Sequence, residues 1–518
     1  MDGISKNKAV LILLAILLLA SFFRLWQLDV IPPGVYPDEA INANEAISNP
    51  GNVFYPENNG REGLYINLLS FSFSVFGISI LSLKIVPAVL GILTVLGVYL
   101  LTKELFQKEN LQAEAIAILS SFFLAVSFWH VNFSRIGFRA VLFVMVMTFA
   151  FAFLFKGFRK NSIVYLILSG MFFGLGFHTY ISYRFIVPLI FILLASLWLV
   201  YKKQYLLKTS ILLFFIFIIA LPIGWYFLEN PQDFMSRAGP ISVFAQENPI
   251  MATAQSFVSH LAMFNISGDF NWRHNFSGSP SLLFPVGILF VIGFIFSIKK
   301  AIEFARKKEC DRAIPYWFLL LWFFIMLLPG VLTFEGIPHS LRVIGAIPAA
   351  YIFSGLGGVV LYNLLSKTIK NKIFLIILCI MFFQLVAITS YNKYFCSWAN
   401  DPNVQGAFTR QFVEIGYVLN SFSSEINKYV IVNEGGVRVP LPDGIPMSSQ
   451  TIEFIENTRP DLPKSTYLLP EDIHNINPEK GTIIIPMKYD EGLFNEIQQK
   501  FPQGELREIN NILIYEIK

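Results

Sequence analysis

AVLILLAILLLASFFRLWQLDVIPPGVYPDEAINANEA, residues 9–46, carries in one run the features on which the fold turns. Its apolar front half, preceded by Lys6 and Lys8, has the roughly 20-residue length that spans a bilayer. No small-x-small cleavage site follows, and FRLWQLDV (23–30) continues with interfacial aromatics. The segment therefore reads as an uncleaved first transmembrane helix. Beyond it stand Pro32, Pro33 and Pro37. Proline fixes its own φ and biases its predecessor towards extended backbone, so PPGVYPDEA is a rigid turn. That turn delivers the adjacent carboxylates Asp38 and Glu39 to the membrane surface. DEAINANEA has helical character, and Asp38 stands where a helix cap belongs. Capping and acid–base chemistry would compete for the same oxygens.

The rest of the chain has the same character. Of 518 residues 55% are hydrophobic and only 14% charged, against about a quarter in soluble domains, so this is an integral membrane protein. A net charge of +4 is too small to indicate nucleic acid. Cys310, Cys379 and Cys396 are scattered, with neither a disulfide framework nor zinc spacing. Spans are expected near 8–25, 83–102, 113–130, 139–156, 162–181, 184–201, 208–227, 281–298, 314–333, 343–364 and 373–390. LYINLLSFSFSVFG (64–77) is a further span or an interfacial helix. The expected fold is a polytopic α-helical membrane protein of about 11–13 transmembrane helices.

Charge sets the orientation. With the N-terminus cytoplasmic, Lys103 and Lys108, Lys156 to Lys160, Lys202 to Lys208, Lys299 to Arg312 and Lys367 to Lys372 all fall on inner loops, as the positive-inside rule requires. The outer side departs from that rule selectively, with Lys84 and the arginines Arg24, Arg61, Arg135, Arg139, Arg184, Arg237, Arg273 and Arg342. Snorkelling at a helix end explains any one of them. Arginine also grips oxoanions bidentately, and the set as a whole points to an anionic ligand outside.

Two outer loops are long, 26–62 and 228–280, and long loops in compact domains are commonly functional. From about 391 no spanning segment remains. KYVIVN (428–433), STYLL (465–469), GTIIIPM (481–487) and NILIYEI (511–517) read as strands, and 407–422 and 490–501 as amphipathic helices. The expected domains are a membrane domain over 1–390 and a small extracytoplasmic α/β domain over 391–518. The latter has no Gly-rich phosphate loop, clustered His or Cys, or nucleophile elbow, which suits a lid or partner surface.

FRLWQLDVIPPGVYPDEAINANEA (23–46) resembles the first outer loop of the GT-C glycosyltransferases, multi-helix enzymes with a polyprenyl-phosphate sugar as donor. Within them it is most similar to the protein O-mannosyltransferases, the lipid A aminoarabinose transferases and their bacterial homologues of the family 39 branch. FWHVNFSRIGFRA (128–140), GLGFHTYISYR (174–184), HNFSGSP (274–280) and EGIPHSLRVIGAIP (335–348) extend the likeness over about residues 10–400.

The resemblance implies an inverting sugar transfer from polyprenyl phosphate to an acceptor protein, lipid or glycan on the outer face of the cell membrane. Asp38 matches the family's general base, and Glu39 orients the loop or the acceptor. Arg61, Arg135, Arg139 and Arg342 are the candidates for holding the donor phosphate, where charge develops in the transition state. The family often has lysine near the position of Arg61. Tyr36, His274, His339 and Arg184 are candidates for substrate contact, while His178 and Tyr180 brace helix ends. No cofactor is expected. No metal is expected either, because Asp269 and Glu335 are the only other obvious outer acids near these motifs and a Trp-Trp-Asp motif is missing. Loss of transfer on chelation, rescued by manganese or magnesium, would contradict this. The alternatives are a lipid-linked sugar transporter or flippase and a non-catalytic scaffold of the same fold. Transporters place charges near span midplanes, and here the acids gather in outer loops.

Overall fold

The computed structural model describes residues 6–109, 111–202, 205–235, 242–478 and 481–517. Arg237 lies outside the described residues. In chain order the main helices of the first 391 residues are α1 (Lys6–Leu25), α2 (Pro37–Ser48), α3 (Leu64–Phe76), α4 (Ile80–Leu105), α5 (Leu111–Ala125), α6 (Phe128–Phe133), α7 (Ala140–Lys160), α8 (Ile163–Gly176), α9 (Ile186–Tyr201), α10 (Tyr205–Glu229), α11 (Phe284–Arg306), α12 (Cys310–Val331), α13 (Ile347–Thr368) and α14 (Lys372–Tyr391).

Among the described residues nine helices are long and apolar enough to cross a membrane, built on α1, α4, α7 and α9 to α14. They match nine of the eleven expected spans. The other two, 113–130 and 162–181, contain the shorter helices α5 and α8. α5 and α8 are 15 and 14 residues long, about 21–23 Å at 1.5 Å per residue, and the placing of Lys156 to Lys160 and Lys202 to Lys208 on inner loops requires both to cross at that length. The apolar run after α5 is broken at Ser127, whose hydroxyl caps α6 by accepting from the His130 N–H at 3.2 Å. The 64–77 segment is the 13-residue helix α3.

The chain forms two compact units. One comprises Met1–Trp26, Pro87–Arg135 and Arg139–Trp398 and is helical. Within it α13 packs against α5 and α11 and is the central helix: 83% of its apolar window is buried, against 11% for α10 and 17% for α14. The close approach of α11 to α13 depends on small residues. A Cβ on Gly293 would lie 1.9 Å from the Phe353 carbonyl oxygen, and one on Gly357 would lie 1.9 Å from that of Leu289. The outer helices expose Leu206, Phe214, Phe217, Ile377 and Met381, as lipid-facing surfaces do.

The other unit comprises Gln27–Val86, Ile136–Phe138 and Ala399–Lys518. Besides two two-stranded ribbons, its main sheet has five strands, β1 (Asn427–Ile431), β2 (Thr466–Leu468), β3 (Thr482–Pro486), β4 (Gly504–Ile509) and β5 (Ile512–Ile517), in the order β2-β1-β3-β5-β4. β1 pairs in parallel with β2 and β3, and β5 runs antiparallel to β3 and β4. The interior strand β3, TIIIP, is buried at every position and so reads as a continuous apolar run. One face of the sheet packs Val430, Ile483 and Ile485 against α15 (Arg410–Leu419) and α16 (Gln450–Asn457). The opposite face packs Ile484 and Tyr515 against α17 (Glu491–Lys500).

α2 is part of this same unit and packs against α16. Asn44 donates to the carbonyl and side chain of Gln450 and accepts from Asn457. Thr409 and Thr451 both donate to the Val35 carbonyl. Gly34 has φ +148°, and a Cβ there would lie 2.2 Å from the Phe408 carbonyl oxygen, so the turn before the carboxylates requires glycine at this point.

Candidate active site

The proline turn is tied down by Lys84, whose ammonium donates to the carbonyls of Pro32 at 2.9 Å and Gly34 at 2.8 Å. α2 then starts with Tyr36 at its cap and Pro37 in its first turn, where a missing N–H costs nothing. The two carboxylates that follow are treated differently. Glu39 is fully buried. Its Oε1 accepts from the Tyr36 N–H at 3.1 Å, and its Oε2 accepts from the Gly137 N–H at 2.6 Å. Burial raises the Glu39 pKa above the usual carboxylate range, opposed by Lys84 and by those two N–H groups.

Asp38 is half-buried. Its Oδ1 accepts from Asn58 Nδ2 at 2.6 Å, and among the described residues its Oδ2 accepts no hydrogen bond. Asp38 does not cap α2; Glu39 returns to the cap residue's N–H instead. Asn58 is delivered by a loop in which Asn58, Asn59 and Gly60 all have positive φ, a conformation that asparagine and glycine tolerate best. This partner of Asp38 was missed from sequence, although the NNG of "ENNGRE" is its local signal.

Arg61 leaves the same loop and is 1% exposed. It donates to Glu45 at 2.6 Å, to Asn42 Oδ1 at 3.0 Å and to the Glu57 carbonyl at 3.2 Å. Asn42 in turn donates to the Gly137 carbonyl. Arg61 thus ties α2 to the loop that carries Asn58. Tyr36 meets Phe138 edge-on, with ring centroids 6.4 Å apart.

In the helical unit Arg24 and Arg135 are fully buried. Arg24 donates to the carbonyls of Ala20, Leu124 and Ala125 and, at 2.7 Å, to His130 Nδ1. A guanidinium can only donate, so His130 Nδ1 is the acceptor and carries no proton. Arg135 donates to the Phe23 and Trp26 carbonyls, satisfying acceptors that the end of α1 leaves open, and lies over the rings of Tyr394 and Phe395.

Arg139 stands at the N-terminal boundary of α7, 8% exposed, with its guanidinium 5.4 Å from the Tyr180 ring centroid. Arg342 donates to the Glu335 carbonyl and pairs with its carboxylate, both at 2.6 Å. Arg184 donates to the Phe234 carbonyl and lies 4.0 Å over that ring.

His274 and His339, 65 positions apart, come together with their ring centroids 4.8 Å apart. Asp269 joins them: its Oδ2 takes His274 Nδ1 at 3.0 Å and the Ser340 N–H at 2.7 Å. His260, not singled out from sequence, fixes the next position, accepting from the His339 N–H at 3.2 Å while its own Nδ1 donates to the Ser256 carbonyl. Asp269, His274 and His339 offer ligand atoms all within 4.8 Å of one another, and among the described residues they form the group able to hold a metal ion. A cation there would compete with His274 for the Asp269 oxygen.

The comparisons with known proteins agree on architecture. The model of a family described as dolichyl-phosphate-mannose-protein mannosyltransferase matches residues 64–225, under a third of the chain. No curated protein sequence matches. Among solved structures, ArnT from Cupriavidus metallidurans bound to undecaprenyl phosphate superposes with a TM-score of 0.56 at 11% identity, covering 99% of this chain and 98% of its own. The apo oligosaccharyltransferase of Archaeoglobus fulgidus gives 0.54 at 14% identity, over 96% of this chain and 69% of its own. The same archaeal enzyme, AglB, with an inhibitory peptide and a dolichol-phosphate gives 0.51 at 16%, over 87% and 64%. The chain thus spans about two thirds of the archaeal enzyme and nearly all of ArnT. Identities this low carry the fold, and the GT-C fold expected from the sequence is the one observed.

Proposed function

We propose, from the GT-C fold that this chain has, that it is an integral membrane inverting glycosyltransferase. It moves a sugar from a polyprenyl-phosphate carrier to an acceptor on the extracytoplasmic face of the cell membrane. The acceptor hydroxyl attacks the anomeric carbon from the face opposite the phosphate. The bond from that carbon to the phosphate oxygen breaks, polyprenyl phosphate leaves with the electron pair, and Asp38 takes the acceptor's proton.

One observation carries this reading: two neighbouring carboxylates have divided their work. Glu39 has both oxygens on backbone N–H groups and serves as a clamp. Asp38 has one oxygen fixed by Asn58 and the other open, the arrangement an oriented base needs.

Arg61, Arg135, Arg139 and Arg342 remain the proposed cationic set for the phosphate. Within the set the leading role goes to Arg139, for its place at the start of a helix. A cation at the positive end of a helix is unfavourable alone, yet with the open N–H groups of that end it makes an anion site. Arg139 at the start of α7 fits this description. Tyr36, Arg184, His274 and His339 are proposed for substrate contact.

The captured dolichol-phosphate and undecaprenyl phosphate of the two similar enzymes support a lipid-phosphate donor here. The inner-loop lysines support outer placement of the 26–62 loop and of the 391–518 domain. Mass spectrometry of lipid extracts from cells with and without the protein tests the proposal. The deletion accumulates a polyprenyl-phosphate sugar, and a glycan loses one residue. An unchanged lipid pool with unchanged glycans overturns it.

A further inference from the structure

The unit that holds Asp38 contains a cleft of about 830 Å³, within the ~300–1,000 Å³ of small-molecule sites. Tyr36 and Pro37 form one wall of it. Pro37 is joined directly to Asp38, and consecutive Cα atoms are about 3.8 Å apart.

The chemistry of the lining is selective. Gln405, Gln411 and Asn511 line the cleft, and among the described residues their side-chain amides make no hydrogen bond within the protein. An amide offers both donors and acceptors, as a sugar hydroxyl does. The charges cancel in pairs: Arg410 bonds Glu414 at 2.8 Å, and Lys488 pairs with Glu434. No excess of either sign is left for an ionic ligand. Tyr36 supplies an aromatic surface for the apolar face of a sugar ring.

A peptide acceptor bound by strand addition would need a sheet edge, and among the described residues no strand residue lines the cleft. A lipid chain would need a mostly apolar lining, and here polar side chains predominate.

We infer that this cleft binds the acceptor and that the acceptor is a neutral glycan chain several sugar rings long. The inference rests on the proposal that Asp38 is the base. Gly435 gives a clean blocking variant, because it lines the cleft and a Cβ there meets nothing within 4 Å. The experiment uses full-length protein in nanodiscs. The probes are neutral linear oligosaccharides of glucose, mannose and N-acetylglucosamine, and a matched set of Ser/Thr peptides. Binding is read by saturation-transfer NMR.

The expected result is that one oligosaccharide series binds and that Gly435→Trp weakens it tenfold or more. Undecaprenyl phosphate binding and the unfolding midpoint stay as in the wild type. If Gly435→Trp does not fold, the Gln411→Ala, Asn511→Ala double variant is measured with the same expected loss. The inference is overturned if no series binds, if the variants bind as the wild type does, or if the peptides are what the substitution displaces. Failure of the wild type to bind undecaprenyl phosphate would instead count against the transferase proposal, so the two failures are distinguishable.

Discussion

Asp38→Asn lowers the rate of sugar transfer by about 10²–10⁴-fold, the usual worth of a general base, and leaves the protein folded. The substitution is nearly isosteric, and its side-chain oxygen still accepts from Asn58 Nδ2, which is 2.6 Å from Oδ1 in the native site. What disappears is the open Oδ2, the atom to which the proposed mechanism gives the acceptor's proton. The loss therefore falls on kcat, because the base acts only as the transition state forms, and donor affinity is unchanged. The assay follows release of polyprenyl phosphate together with the unfolding midpoint. Wild-type transfer by Asp38→Asn would remove Asp38 from the chemistry.

Glu39→Ala has the largest expected effect on stability. Its two oxygens are the acceptors for the Gly137 N–H in a buried site and the Tyr36 N–H in a part-buried one. A buried unsatisfied N–H costs about 1–3 kcal/mol, so the loss is at least about 1–3 kcal/mol from Gly137, with a smaller addition from Tyr36. Glu39→Gln keeps one acceptor oxygen and turns an NH₂ towards the other N–H, giving an intermediate loss.

The pH dependence has a definite sign. Burial raises the folded-state pKa of Glu39 above its unfolded value, so between the two values the folded chain holds the proton more often. Glu39's contribution is therefore greatest at the acid end and declines as pH rises through the folded value, after which it is flat. Thermal unfolding from acid to neutral pH shows this slope in the wild type and not in Glu39→Gln. An identical slope in the variant would assign it to another group.

The membrane core was legible because span length and apolar content are local properties. Nine of eleven expected spans are helices of full spanning length, and the helix in the 113–130 run is shortened by a local break that hydropathy averages over, the cap at Ser127. Strands β1, β2, β3 and β5 were visible as apolar runs. β4, GELREI, was not, because it is an edge strand with four exposed residues in succession. Helix α16 is only eight residues long and was also missed.

The candidate site was legible in its residue types and not in its pairings. The Asp-Glu pair was found from its prolines, yet which of the two is clamped depends on Gly137, 98 positions away. Arg24 and Arg135 read as outer cations, whereas Arg24 bonds the carbonyls of Ala20, Leu124 and Ala125 and the His130 ring, and Arg135 bonds those of Phe23 and Trp26. His274 and His339 were each nominated singly, and their convergence on Asp269 has no periodicity to reveal it.

The most direct measurement follows the fate of a radiolabelled polyprenyl-phosphate sugar in liposomes containing the purified protein and a crude envelope acceptor. The account predicts that the label leaves the lipid and joins the acceptor with inverted anomeric configuration, that polyprenyl phosphate is released in equal amount, and that Asp38→Asn slows both by about 10²–10⁴-fold. Label that crosses the bilayer still attached to its lipid, with no phosphate released, would contradict it.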